Sequence, residues 1–211
     1  MVDSTTNVIN ASSARQSILY FAGSNTYVDL GSKIDLANQN FTIELWDRRL
    51  SWGQHSLLGQ AKDLHIGYNA ESHLFFQTQG STLTAPKAYD NDYAWHHWAV
   101  TFDHDTKVRI IYLNGFPLID DVAKVPYTGT GALSLGPNSQ TASRNTGGHM
   151  ADVRIWHYVR SQDEIQQARF RRLNGDESGL LGYWPLDEGQ GETAHDRTSH
   201  GNHGKINAPH W

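Results

Sequence analysis

The residues able to do chemistry come first. The densest carboxylate run is Asp187-Glu188-Gly189-Gln190-Gly191-Glu192. Glycoside hydrolysis needs two carboxyl groups facing each other across a cleft. The glycines in this run mark it as a turn, not as a strand that aims acids at one substrate. The chain has 12 histidines, a residue suited to proton transfer and metal ligation near neutral pH. They show neither an HExxH pattern nor a helical ligand spacing. His96-His97 lies in an apolar alternating run, and His200 and His203 lie in a glycine-rich one. Gly-x-Ser-x-Gly and phosphate-loop patterns are absent. Cysteine is absent too, which excludes disulfides, thiolate catalysis and cysteine-based zinc sites. These residues point away from an enzyme.

Two other constellations point to binding. Asp196-Arg197-Thr198-Ser199-His200-Gly201-Asn202-His203-Gly204 combines a carboxylate, hydroxyls and an amide with glycines that let carbonyls turn inward. Calcium prefers such oxygen donors, although Asp196 could equally hold its own turn through Asx hydrogen bonds. Carbohydrates show an apolar CH face and a rim of hydroxyls, so their sites pair an aromatic ring with polar side chains. Three stretches offer that pairing: Trp52-Gly53-Gln54-His55, Tyr89-Asp90-Asn91-Asp92-Tyr93, and the polar loop Asn138–Asn145 with Arg144. The candidate ligand-binding set is Trp52, Gln54, His55, Asn91, Tyr93, Asn138 and Arg144. The aromatics Trp46, Trp98, Trp156 and Trp184 lie in strand patterns and are assigned to packing.

The elements that must position these residues are strands. In Trp95–Phe102, Trp98, Val100 and Phe102 alternate with His97, Ala99 and Thr101, a period of two with one apolar face. Val108–Leu113 is β-branched and aromatic and ends at Asn114-Gly115, a pair that tolerates positive φ and predicts a tight turn. Together they predict a hairpin at the centre of the fold, with a five-residue loop over 103–107. Phe41–Trp46 alternates in the same way. Further short strands are read near Ile18, Tyr27, Asp63–Tyr68, Leu74–Thr78, Thr82–Ala85, Pro117–Asp120, Leu133–Leu135 and His149–Trp156. Many short strands separated by turn residues predict an all-β sandwich. One short helix is expected from Ser161-Gln162-Asp163-Glu164, a capping box, with Ile165, Ala168 and Phe170 on its apolar side and a stop at Asn174-Gly175.

The central stretch YAWHHWAVTFDHDTKVRIIYLNG resembles the WHHWAVTYD…IYLNG signature of laminin-G-like, concanavalin A-like lectin/glucanase jelly-roll modules. FTIELW, LSLG, DVRIW and the late block GYWPLDEG…DRTSHGNHG are similar to further segments of that family. In many relatives the last block comes first; here it comes last. One sandwich completed by its own C-terminal strands is favoured over the start of a second repeat, because Trp184 and Leu186 would otherwise be exposed. The resemblance implies an antiparallel β-sandwich jelly roll of the all-β class, with residues 18–211 as one domain after a flexible lead-in over 1–17. It also implies a calcium near Asp196 and the aspartate of the DVRIW strand, Asp152, with Asn202 as a further ligand. The family's usual aspartate falls on Ala151, a departure from the pattern.

The remaining bounds are compositional. Net charge is −5 with no basic tract, which argues against nucleic acid. No apolar run reaches membrane-helix length. The first residues lack the basic-then-apolar pattern of a secretory signal, so an extracellular role would need another export route or a larger secreted chain. The expected function is non-catalytic recognition of a glycan or glycoprotein, with calcium assistance. A protein-binding adhesion or assembly module is the alternative, and a glycoside hydrolase ranks below both.

Overall fold

The structure is a computed structural model that describes residues 17–61, 63–89, 93–137 and 147–211. Most of the expected lead-in, residues 1–16, lies outside the described residues. The strands are β1 (Tyr20–Ala22), β2 (Tyr27–Gly31), β3 (Phe41–Arg49), β4 (His55–Gln60), β5 (Leu64–Tyr68), β6 (Leu74–Thr78), β7 (Ser81–Thr84), β8 (His96–Phe102), β9 (Val108–Leu113) and β10 (Phe116–Val122). They continue with β11 (Leu133–Leu135), β12 (Gly147–Trp156), β13 (Leu180–Trp184), β14 (Thr193–Ala194) and β15 (Gly204–Asn207), and one α-helix, α1 (Gln162–Ala168), precedes β13. The first sheet runs β1-β12-β3-β8-β9-β10, with β13 also on β12. The second runs β14-β15-β2-β11-β4-β5-β6-β7. Every pairing is antiparallel. The fold is the expected β-sandwich jelly roll.

Alternation builds the core. Phe41, Ile43 and Leu45 of β3 and Trp98, Val100 and Phe102 of β8 are buried together against Leu58, Ile66 and Phe76 of the facing sheet. Phe41 stacks on Phe102 with centroids 5.3 Å apart and planes 10° apart. The β8–β9 hairpin takes the central place its pattern predicts. The two residues after β9, Asn114 and Gly115, adopt φ of 52° and 84°, the positive values a two-residue hairpin turn requires. At one margin, fully buried Arg109 on β9 joins the sheets. It pairs with Asp121 on β10 and donates to Thr78 Oγ1 and Ser81 O across the sandwich.

The outer face of the first sheet departs from simple alternation. Thr42, Glu44, His97, Ala99 and Arg154 face away from the core yet are buried, because α1 and its flanking chain cover them. Ile165 of α1 packs on Ala99 and Tyr112. Glu44 meets Arg160, and its Oε2 lies 3.2 Å from His97 Nε2. Burial opposes ionisation of Glu44, but His97, Arg154 and Arg160 outweigh it and hold the carboxyl near 2. The capping box forms as predicted, with Ser161 accepting from the Glu164 N–H and Glu164 accepting from the Ser161 N–H. The helix ends earlier than expected, at Ala168, where Arg154 takes over the carbonyls of Ala168 and Arg171. Phe170 is therefore exposed and lies over Trp46, with centroids 5.3 Å apart.

The late block joins both sheets. β13 pairs with β12 through Val153–Trp184 and Arg154–Tyr183, and β15 pairs with β2 through Ile206–Val28. Trp184 is fully buried and donates from Nε1 to Asn202 O at 2.9 Å.

Candidate functional site

The candidate rim lies where β3 runs out into the 50–54 loop and where residues 93–95 enter β8. Two consecutive arginines organise it. Arg49 follows Asp47 on the inner side of β3, and its guanidinium carbon sits 4.1 Å from the centroid of the Tyr68 ring. From there Nη1 donates to Tyr89 O at 2.8 Å, and Nη2 donates to Ser51 O at 3.2 Å, Gly53 O at 3.1 Å and Ser72 Oγ at 3.2 Å. Arg48, on the outer side, donates from Nε to Tyr93 O at 2.9 Å. The guanidinium fork suits this task because it carries several donors in one rigid plane. The bonds of the two arginines draw the 50–54 loop, the turn at Ser72, Tyr89 and Tyr93 to one end of the sandwich.

A polar chain underlies this end. Trp98 Nε1 donates to Tyr68 Oη at 2.8 Å, and Tyr68 Oη donates to Asp47 Oδ2 at 2.9 Å. Burial pushes the Asp47 carboxyl up to about 7, against the opposing pull of the Tyr68 hydrogen bond and the Arg49 charge.

Trp52 is 54 % and Tyr93 55 % exposed. Gln54 is exposed beside Trp52. Tyr93 holds φ of 49°, an uncommon conformation for a non-glycine residue. His55 differs from the expectation of a loop side chain reaching hydroxyls. It begins β4 and is 1 % exposed, with Nε2 at 3.2 Å from Ser51 Oγ and Nδ1 accepting from the Gly147 N–H. Burial, aided by the Arg49 charge, holds His55 down to about 4, so it is a neutral structural group at pH 7. His65 on β5 faces away from the core but is buried against Ser56 Oγ at 3.0 Å. Asn91, Asn138 and Arg144 lie outside the described residues. Arg48, Arg49 and Asp47 were missed. The only sequence signal for them is a strand pattern that continues past Trp46 with charged residues.

Asp196, Asp152 and Asn202 are arranged otherwise than a calcium site requires. Asp196 Oδ1 accepts from the N–H groups of Tyr183 and Thr198, and Oδ2 accepts from Thr198 Oγ1 and the Asn202 N–H. The Thr198 N–H bond is the Asx turn, and the Tyr183 and Asn202 bonds tie that turn to β13 and to the end of its own loop. Asp152 Oδ2 accepts from Arg154 at 2.8 Å, and Asn202 Nδ2 donates to Leu181 O. Among the described residues no group of three or more His, Asp or Glu could hold a metal ion. A hard cation would have to displace these donors, so the residues do not fit calcium.

A cavity of about 260 Å³ opens at the opposite end of the first sheet, lined by His157, Asp176, Glu177, Leu180, Leu181 and His200. Glu177 there accepts from the N–H groups of Asn174 and Gly175, which makes its carboxylate a loop brace.

Several solved structures share the architecture. A protein of Bacteroides ovatus, described as a candidate carbohydrate binding protein, is 19 % identical with a TM-score of 0.74. The match covers 92 % of this chain and 59 % of that one, so the present chain spans well under two thirds of its length. The heptameric SAP-like pentraxin of Limulus polyphemus is 10 % identical over 74 % of this chain and 83 % of its own, with a TM-score of 0.56. The CBM40 of the Ruminococcus gnavus IT-sialidase, bound to alpha2,3 sialyllactose, is 17 % identical over 72 % of this chain and 98 % of its own, with a TM-score of 0.52. At these identities the likeness is one of fold. No curated protein matches the chain. The sequence itself matches, over residues 22–166, the family model described as the concanavalin A-like lectin/glucanases superfamily. That span runs from β1 through the central hairpin and β12 into α1, and the chain belongs to this superfamily.

Proposed function

We infer that this chain is a non-catalytic carbohydrate-recognition module, with residues 18–211 acting as one domain and Trp52, Gln54 and Tyr93 forming the contact rim. One observation carries the reading: two aromatic side chains more than half exposed, Trp52 and Tyr93, stand on separate loops that adjacent arginines tie to the same end of the sandwich. An exposed ring on a braced loop stacks on a sugar face at little cost in loop ordering. The relatives named above support it, since one is a candidate carbohydrate binder and another is bound to sialyllactose. The non-catalytic reading rests on how the acids are engaged. Asp187 pairs with Arg172, and Glu188 braces the His195 N–H.

A glycan array with wild type, Trp52→Ala and Tyr93→Ala tests the proposal. The expected result is binding to one glycan class that both variants lose while their melting temperatures stay within a few degrees of wild type. Equal binding by all three proteins would refute the rim. A second reading, protein-binding adhesion or assembly, is favoured by exposed Phe116 and Val122 on edge strand β10. Silence on the array together with a specific protein partner lost in Phe116→Ser would establish it instead.

A further inference from the structure

Beside the rim, the outer face of the first sheet continues as a row of half-buried rings. Tyr20 on β1 stands directly opposite His149 on β12, and His149 stands opposite Arg48 on β3. Trp95 enters β8 one residue before His96, the register partner of Asp47. The Tyr20 and His149 centroids are 5.2 Å apart, and those of His149 and Trp95 are 6.2 Å apart. The rings are therefore in contact from β1 through β12 and across β3 to the entry of β8. Tyr20, Arg48, Trp95 and His149 are all partly exposed, unlike the helix-covered half of the same face. Burial and the nearby Arg48 charge hold His149 below its usual value, so it serves as a neutral ring.

Arg48 gives the row its charge. Its Nε is taken by Tyr93 O. Among the described residues its two terminal nitrogens make no hydrogen bond and no ion pair, on a chain of net charge −5. A guanidinium edge with no partner among the described residues, set between rings, fits a carboxylate, which it can hold with two parallel bonds. We propose that the ligand is an acidic oligosaccharide, bearing uronate or sialate groups, whose carboxylate docks on Arg48 while successive sugar faces lie along Trp95, His149 and Tyr20. This rests on the carbohydrate-binding reading and extends it, from a rim contacting one sugar to a face contacting several.

The test is isothermal titration with oligogalacturonates of increasing length and with sialyllactose, each beside its carboxyl-reduced neutral counterpart. Wild type should prefer an acidic form at least about tenfold, the scale of one charge-assisted hydrogen-bonding site. Arg48→Gln should bind the acidic and reduced forms equally. Because Arg48 also braces Tyr93, Tyr20→Ala serves as a second variant remote from that loop. It should weaken the longer oligosaccharides and spare the shortest. A wild type that binds reduced and acidic forms alike, in a Trp52-dependent way, overturns the acidic assignment and leaves the rim standing. Length-independent binding that Tyr20→Ala does not touch overturns the extended face. A wild type that binds no glycan overturns both this proposal and the function it rests on.

Discussion

Asp47 should make the protein less stable as pH rises toward neutrality. Its carboxyl is buried under the rim with Tyr68 as donor and is pushed from 3.8 to about 7 by burial. The folded state therefore keeps a proton that the unfolded chain has released once pH exceeds about 4. Where the folded state binds more protons, stability falls with rising pH. The fall should begin near pH 4 and level off above about 7. A displacement of about 3 pH units, at about 1.4 kcal/mol each, corresponds to about 4 kcal/mol by pH 8. Water penetration and relaxation around the group make this an upper figure. Asp47→Asn keeps an oxygen for the Tyr68 hydroxyl and removes the titration. The assay is urea unfolding of wild type and Asp47→Asn at intervals from pH 4.5 to 8. The difference between the two proteins is the informative quantity, because His55, held near 4 in the fold, acts with the opposite sign in both. Its unfolded form takes up a proton below about 6.5, so stability from His55 is present at high pH and lost as pH falls toward 4. The difference should grow with pH in favour of Asp47→Asn by about 2–4 kcal/mol. A difference that stays flat across this range would refute a protonated Asp47.

Other expectations follow from the same contacts. Trp184→Ala should lower stability by about 3–5 kcal/mol in urea titration, since the indole is fully buried and bonded to Asn202. Arg49→Met removes the donor shared by Tyr89, Ser51, Gly53 and Ser72. It should cost at least about 2 kcal/mol and abolish glycan binding even with Trp52 and Tyr93 intact. Millimolar calcium should leave the melting temperature unchanged, because mass action requires a site that Asp196 does not offer while its oxygens accept four donors. A calcium-dependent rise that Asp196→Ala removes would show instead that the turn reorganises around an ion. Truncation after Asn174 removes β13, β14 and β15 from both sheets and should give an insoluble product; a soluble fragment that melts cooperatively would contradict that.

Local pattern made much of the fold legible. The alternation in Phe41–Trp46 and Trp95–Phe102, the Asn114-Gly115 turn and the Ser161 capping box each act over a few residues, and each appears where its pattern places it. Trp184 could be assigned to packing because a large apolar side chain in a strand pattern needs a partner. The site was half legible. Trp52 and Tyr93 stand exposed because no strand period claims them. His55 sits close to Trp52 in sequence but is drawn inside by the start of β4, a boundary that Gly53, at φ of 87°, precedes without fixing its position. The arginine brace was hidden for a different reason. Its partners lie 2, 4, 23 and 40 residues from Arg49, and most are backbone carbonyls, which carry no residue identity. The end of α1 at Ala168 was hidden likewise, since the group that caps it, Arg154, comes from a strand before the helix.

The closing of the sandwich by β15 has a mechanical consequence. Tyr27 stands opposite Asn207 and Asp29 opposite Lys205, and Tyr20 N–H donates to His210 O. The segments leading into β2 and out of β15 thus lie side by side at one end of the sandwich. A pull applied at these two segments loads the β2–β15 ladder from one end, so its rungs break one after another and not all together. In that geometry tension would open the module by peeling at low force, and β15 would leave first, baring the β2 edge and uncovering Val28 and Leu30 while the Arg49-braced end, on other strands, kept its shape.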